Sequence, residues 1–303
     1  MGGRGVGKSS RNTFMNKFYI VTNRTKDPEL ETTNYICDYL KERDGVVSVL
    51  ARENAPKYTG KESGEYNPLH IPEDTDCVLV LGGDGTLLQT ARDTMQLSVP
   101  LLGINLGTLG YLAEVEKTGI EEALDHLLRD EYETEERMML VGSVMRGDKE
   151  LCRAHALNDV VVNRFGHLMV LSYEVSVNGQ KLNRYQADGM IVATPTGSTG
   201  YNLSAGGPIA LPSSQLMIMT PICPHTLNTR SIVLSANDTI EVRIDCGRSG
   251  STQEAEINFD GGLTQRLTTG DRVLVRRSEQ TTKLIHISKV SFLETLHKKM
   301  SEN

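Results

Sequence analysis

The chain has 303 residues, of which 38% are apolar and none is Trp, and it carries a formal net charge of −7 at pH 7. That length can bury a full core and suits two domains. The acidic balance argues against nucleic acid as a partner, and no apolar run is long enough to span a membrane.

Residues 1–14 are polar and lack the apolar core of a secretory signal. They contain Gly2–Ser9, GGRGVGKS, which satisfies the P-loop pattern. A P-loop follows a strand, and here the first strand-like run, 17–23, comes after the motif. Residues 1–14 therefore read as a disordered tail, with Met15 a candidate initiator.

Strand and helix then alternate. Residues 18–21 are strand-like, Pro28 opens a helix with Leu30, Tyr35, Ile36, Tyr39 and Leu40 as its apolar positions, and Gly45 ends it. A strand over 46–50 precedes a polar loop over 52–75. A strand over 77–81 runs into Gly82-Gly83-Asp84-Gly85-Thr86, and a helix follows over 86–96 with Thr86 suited to cap it. A strand over 101–105, a turn with Gly107 and Gly110, and a helix over 119–129 complete the unit. The alternation predicts an α/β domain over 15–130: a Rossmann-like parallel sheet with flanking helices.

From about residue 131 the pattern becomes short alternating runs: 139–145, 156–163, 170–177, 190–193, 232–234, 240–244, 273–275 and 284–287. Asn178-Gly179 reads as a hairpin turn and Gly270-Asp271 as another. This predicts an all-β C-terminal domain over 131–288. Residues 289–303 read as a C-terminal helix, with Phe292, Leu293 and Leu296 packing back on the first domain. Five scattered cysteines (Cys37, Cys77, Cys152, Cys223, Cys246) show no metal-like pairing, so reduced thiols and a cytoplasmic location are expected.

Two segments carry chemistry. Gly82, Gly83 and Gly85 let a backbone approach a bulky anion, and a helix N-terminus offers free N–H groups, so this corner suits phosphate. Asp84 is the oddity, since a carboxylate repels phosphate. It either decorates an ordinary turn or orients a reacting hydroxyl. The second segment, Asp188 to Pro208, follows a strand with hydroxyls at Thr196, Ser198, Thr199 and Ser204 and a ring at Tyr201 that can stack on a base. Gln186 lies on the same side of its strand as Asp188. His225 near Cys223 gives too few ligands for a metal site, so no protein metal site is expected.

These segments, with Asn158-Asp159 between them, Thr220–Leu227 and Phe259-Asp260-Gly261 after them, resemble the NAD kinase family in order over residues 76–290. The glycine–Asp corner alone is shared with diacylglycerol and sphingosine kinases and, more loosely, phosphofructokinases. The resemblance implies transfer of the γ-phosphate of ATP, or of a polyphosphate, to the 2′-hydroxyl of the adenosine ribose of NAD. It implies Asp84 as the catalytic residue, with Gly82, Gly83, Gly85 and Thr86 on the donor phosphates. It implies NAD contacts from Asp84, Gly85, Asn158, Asp159, His167, Gln186, Asp188, Thr196, Thr199, Gly200, Tyr201, Asn202, Leu203 and Ser204. It further implies Mg²⁺ or another divalent cation with ATP, and a homodimer or homotetramer. Departures from the family pattern are Ser231 for a frequent Pro, Gly200 for a common Ala and Gly262 for a frequent Gln. A lipid kinase would need an apolar cleft in place of the hydroxyl-rich segment, and a non-catalytic dinucleotide sensor could dispense with Asp84.

Overall fold

A computed structural model describes residues 15–52, 70–107, 110–166, 169–226, 229–288 and 290–301. The tail over 1–14, most of the loop over 52–75, and His167 lie outside the described residues.

The first unit follows the alternation: β1 (Lys17–Asn23), α1 (Glu31–Lys41), β2 (Val46–Arg52), β3 (Cys77–Gly82), α2 (Asp84–Thr94), β4 (Leu101–Asn105), β5 (Val115–Glu116) and α3 (Ile120–Leu128). The residues of β3 are buried along its whole length, as a strand covered on both faces must be. The spatial order β2-β1-β3-β4 is parallel throughout, with Val21 beside Val80 and Gly82 beside Asn105. Asn23, Gly82 and Asn105 therefore end at one edge, the carboxyl edge where ligands of such sheets sit.

The second unit contains β6 (Glu133–Arg146), β7 (Lys149–Ala156), β8 (Asp159–Arg164), β9 (Leu171–Val177), β10 (Gln180–Ala187), β11 (Gly189–Ala193), α4 (Tyr201–Ser204), β12 (Leu216–Ile222), β13 (Ile232–Ser235), β14 (Thr239–Ile244), β15 (Glu254–Phe259), β16 (Leu263–Thr268) and β17 (Arg272–His286). Asn178 and Gly179 both have positive φ and join β9 to β10, as the Asn-Gly pair requires. The runs 273–275 and 284–287 turn out to lie on one long strand, β17, with a register shift between Arg277 and Thr281. Strands β7, β10, β12, β15 and β16 were not expected as separate strands. β10 is largely exposed and polar, and β12 contains Pro221.

Six of these strands form an antiparallel sheet in the order β13-β12-β11-β8-β15-β16. The others extend the first sheet: β17 pairs in parallel with β4 at Leu284 and Leu101, and β14, β9 and β10 follow beyond it. One mixed sheet thus crosses residue 130. The largest core lies between the two sheets, with Leu140, Tyr173 and Val273 from one meeting Val160, Met190 and Phe259 from the other. The C-terminal helix, α5 (Phe292–Ser301), keeps none of its side chains fully buried. It reaches the first unit through Lys298, 3.8 Å from Glu116, and Lys299, 5.9 Å from the centroid of the Tyr111 ring.

Candidate active site

The glycine corner starts its helix two residues earlier than expected. Gly83, in extended conformation, is the N-cap and Asp84 stands in the first turn, so Thr86 is not the cap. Thr86 instead folds inward: its Oγ1 accepts from Asn23 Nδ2 at 3.1 Å, tying the end of β1 to the corner. A Cβ on Gly82 would stand 2.4 Å from that same Oγ1, so Gly82 is glycine for packing. Gly83 and Gly85 differ, because no heavy atom comes within 4 Å of where their Cβ atoms would stand. The free space of the corner lies beside these two.

Asp84 is held from across the cleft. Its Oδ2 accepts from Tyr111 N at 2.9 Å and its Oδ1 from Leu112 N at 3.2 Å. A Cβ on Gly110 would fall 2.0 Å from Oδ1, so the loop after β4 needs glycine there to reach the carboxylate. Each carboxylate oxygen has a further lone pair, so Asp84 keeps acceptor capacity with its orientation fixed.

Asp159 begins β8 and Asn158 immediately precedes it. The Asn158 carbonyl accepts from Thr194 N at 2.8 Å, and a Cβ on Gly197 would lie 2.1 Å from that carbonyl oxygen. The hydroxyl-rich segment is therefore packed directly on the pair. The side-chain Oδ1 of Asn158 is buried without a hydrogen-bond partner. Such an orphaned acceptor costs about 1–3 kcal/mol, which a ligand donor would recover. Asp159 is 6% exposed, and burial, then the Asp260 charge, pushes its carboxyl from 3.8 up to about 7. A Cβ on Gly200 would sit 3.4 Å from Asn158 Nδ2 and 3.9 Å from Asp159 Oδ2, so Gly200, Asn158 and Asp159 converge.

The rest of the segment divides into an inner and an outer set. Thr196 and Ser198 are buried, and Thr199 closes the 3-10 turn through Thr196 O at 3.4 Å. Asn202 is fully buried: Nδ2 donates to Ser198 O and Pro208 O, each at 3.0 Å, and Oδ1 accepts from Thr220 Oγ1 at 2.7 Å. Its amide is engaged within the loop, so it shapes the segment rather than reaching into the cleft. Tyr201, Leu203 and Ser204 are exposed on α4. Asp188 accepts from Arg164 Nε at 2.9 Å, and Gln186 is exposed on β10. Ser231, where the family often has Pro, has its Oγ 2.9 Å from Thr220 Oγ1 and donates to it, since the one Thr220 hydroxyl proton goes to Asn202 Oδ1.

Several contributors had no sequence signal. Lys26 lies past β1 with its Nζ 3.3 Å from where a Cβ on Gly107 would stand, bringing positive charge to the carboxyl edge. Arg137 is 6% exposed, donates from Nη2 to Glu135 Oε2 at 2.7 Å, and contacts Thr196 Oγ1 at 3.4 Å. His286 stands between Glu114 and Glu135, each 3.0 Å away, and these carboxylates raise it from 6.5 to about 9. Arg137 on β6 and His286 on β17 lie far apart in sequence, and the pairing of these two strands brings them together.

Among the described residues no three His, Cys, Asp or Glu side chains gather as a metal site. The donor set at the corner, one carboxylate beside exposed backbone, fits a divalent cation that arrives on phosphate oxygens. Among the described residues no helix is long and apolar enough to cross a membrane.

A phosphate-suited corner with a fixed carboxylate, together with a polar pair carrying an orphaned acceptor at the start of a β-strand, defines a phosphotransferase for a nucleotide-like acceptor. The ATP-NAD kinase N-terminal domain family matches residues 18–132, and the ATP-NAD kinase C-terminal domain family matches residues 157–287. The NAD kinase of Lachnospira eligens is 43% identical over 296 residues, covering 94% of this chain and 100% of that protein. The NAD kinase of Agathobacter rectalis is 45% identical over 286 residues, covering 94% and 99%. A yeast NADH kinase solved with NADH superposes with a TM-score of 0.79 at 23% identity, covering 96% of this chain and 89% of that one. An Archaeoglobus fulgidus NAD kinase solved with ATP gives 0.73 at 24%, covering 95% and 99%. At those identities the two structures speak for the fold alone. The chain belongs to the NAD kinase family.

Proposed function

We propose that the protein phosphorylates the 2′-hydroxyl of the adenosine ribose of NAD, taking the γ-phosphoryl group of ATP and releasing NADP. The observation that carries this reading is the orphaned Oδ1 of Asn158, a buried acceptor awaiting a donor, beside Asp159 and Gly200. An adenine amino group or a ribose hydroxyl supplies that donor.

Phosphoryl transfer is mostly positioning and charge neutralisation. Gly83, Gly85 and the first amides of α2 hold the donor phosphates, with Lys26 adding positive charge at the edge. Mg²⁺ arriving with those phosphates would be met by Asp84 and the backbone of Gly83 and Gly85, and would supply charge neutralisation there. Asp84, oriented by Tyr111 N and Leu112 N, accepts the ribose hydroxyl proton late in transfer and aims the oxygen at phosphorus. Asp159 accepts from a ribose hydroxyl when ionised. Tyr201 offers its exposed ring for stacking, with Thr199 and Ser204 beside it. Asp188 and Gln186 meet the nicotinamide-ribose half. Asn202 and Thr196 hold the segment's shape from behind.

A homodimer or homotetramer is the expected assembly, to be read by sedimentation. The free cysteines, Cys223 and Cys246 exposed among them, suit a reducing cytoplasm. The reading is tested by incubating the protein with NAD, ATP and Mg²⁺ and assaying NADP. Accumulation of NADP supports it. NAD binding without product points to a sensor, and phosphorylation of a lipid alcohol in place of NAD overturns it.

A further inference from the structure

Asp260 sits at the turn between β15 and β16 with a φ of +48°, and its side chain is fully buried. Four donors converge on it. Leu157 N reaches Oδ2 at 2.9 Å, while Asn158 N and Asp159 N reach Oδ1 at 2.8 and 3.0 Å. Arg92 Nη1 reaches Oδ2 at 2.8 Å. Arg92 lies on α2, the helix that Asp84 opens, and its Nη2 donates to Gln89 Oε1 at 2.7 Å. A Cβ on Gly262 would stand 2.5 Å from Nη2, so the glycine after Asp260-Gly261 leaves room for the guanidinium.

One carboxylate thus gathers the backbone of Leu157, Asn158 and Asp159 and, through Arg92, the helix of the phosphate corner. A carboxylate has roughly four lone-pair sites, and the four donors occupy them, so Asp260 has no acceptor left for a substrate proton. Its role lies in geometry. Charge-assisted hydrogen bonds in a water-poor interior are strong, and removing one partner leaves an uncompensated buried charge. We propose that Arg92 and Asp260 form a positioning clasp that sets the spacing between Asp84 on α2 and the Asn158–Asp159 pair at the start of β8. The proposal rests on the phosphotransfer reading above: the clasp aligns donor phosphorus and acceptor hydroxyl for in-line attack.

The test compares wild type with Arg92→Met, Arg92→Lys, Asp260→Asn and the double variant Arg92→Met/Asp260→Asn. Misplacement by about 1 Å costs on the order of 10²-fold in rate, so Arg92→Met should lose about that much in kcat while KM for NAD and ATP moves less than about threefold. Arg92→Lys keeps the charge and should recover much of the rate. The double variant should be no slower than the slower single variant, since both changes break one link. Amide hydrogen exchange at Asn158 and Asp159 should be roughly tenfold faster in Arg92→Met, because a loosened carboxylate protects those N–H groups less. A folded Arg92→Met with wild-type kcat and unchanged exchange overturns the clasp, as do losses that multiply in the double variant. Should Arg92→Met fail to fold, the same comparison is made with Arg92→Gln, which lacks the charge and whose kcat should fall with KM held. Absence of NADP from wild type would defeat the phosphotransfer reading instead, and the exchange measurement would then decide the clasp by itself.

Discussion

Glycine is put to opposite uses in the two motifs. In the corner, Gly83 and Gly85 border open space, with nothing within 4 Å of a would-be Cβ. In the second unit, Gly189, Gly197 and Gly207 are wedged against Val162 O, Asn158 O and Asn202 Oδ1, where a Cβ would lie 2.2, 2.1 and 2.0 Å away. The corner is built to receive something, whereas the segment over 189–207 is built to be rigid. Donor phosphates are large and need room, while an acceptor ribose needs fixed polar groups. The contrast teaches that a glycine-rich sequence does not by itself say where a ligand goes; the neighbours of each glycine do.

The largest expected effect breaks the comparison at its chemical centre. Asp84→Asn should lower kcat by about 10²–10⁴ while NAD binding persists, since the amide keeps the shape and loses the charge. Near-normal turnover in steady-state assays would remove Asp84 from catalysis. Tyr201→Ala should weaken NAD by roughly tenfold to hundredfold and leave ATP affinity nearly intact, the scale of lost base stacking. Tyr201 is 44% exposed, so its melting temperature should barely move. Equal losses for both nucleotides, by separate titration, would make it a structural residue.

A pair of glycine variants sharpens the contrast itself. Gly197→Ala forces a methyl onto the Asn158 backbone and should destabilise by about 1–3 kcal/mol, the usual cost of overpacking. Gly85→Ala meets no clash, so its melting temperature should stay near wild type while KM for ATP rises. Matching melting losses would mean that the corner is packed, not open.

A further effect is electrostatic. Asp159 titrates near 7 in the folded chain against 3.8 ordinarily. Between those values the folded state holds a proton that the unfolded chain releases, so this group's contribution to stability falls as pH rises from about 4 to about 7. Asp159→Asn should remove that slope, and its melting temperature relative to wild type should be higher at pH 8 than at pH 5. A difference that does not change with pH would contradict the raised value.

Much of this was legible in the sequence because it is local. The run 77–81 and the glycines after it mark strand, corner and helix, and Asn178-Gly179 marks its hairpin. What escaped was non-local. The alternation stops near residue 130, yet β17 pairs with β4 at Leu284 and Leu101 and carries one sheet across the boundary. Arg92 carries no signal of its own in the sequence, and its partner Asp260 lies 168 positions away. The hydroxyls of the second segment signalled polarity correctly but not direction: Asn202 points inward and Tyr201 outward. A helix-period argument could not resolve this, because α4 is a single turn of four residues.

The proposed reaction carries a phosphoryl group from a donor at the open corner to a hydroxyl held by Asn158 and Asp159. The most direct measurement supplies ATP labelled in its γ-phosphate together with NAD and Mg²⁺, and locates the label by phosphorus NMR. Label should appear on the 2′-oxygen of the adenosine ribose in wild type and be lost in Asp84→Asn. Label on another oxygen, label released only as free phosphate, or equal transfer by Asp84→Asn would contradict it.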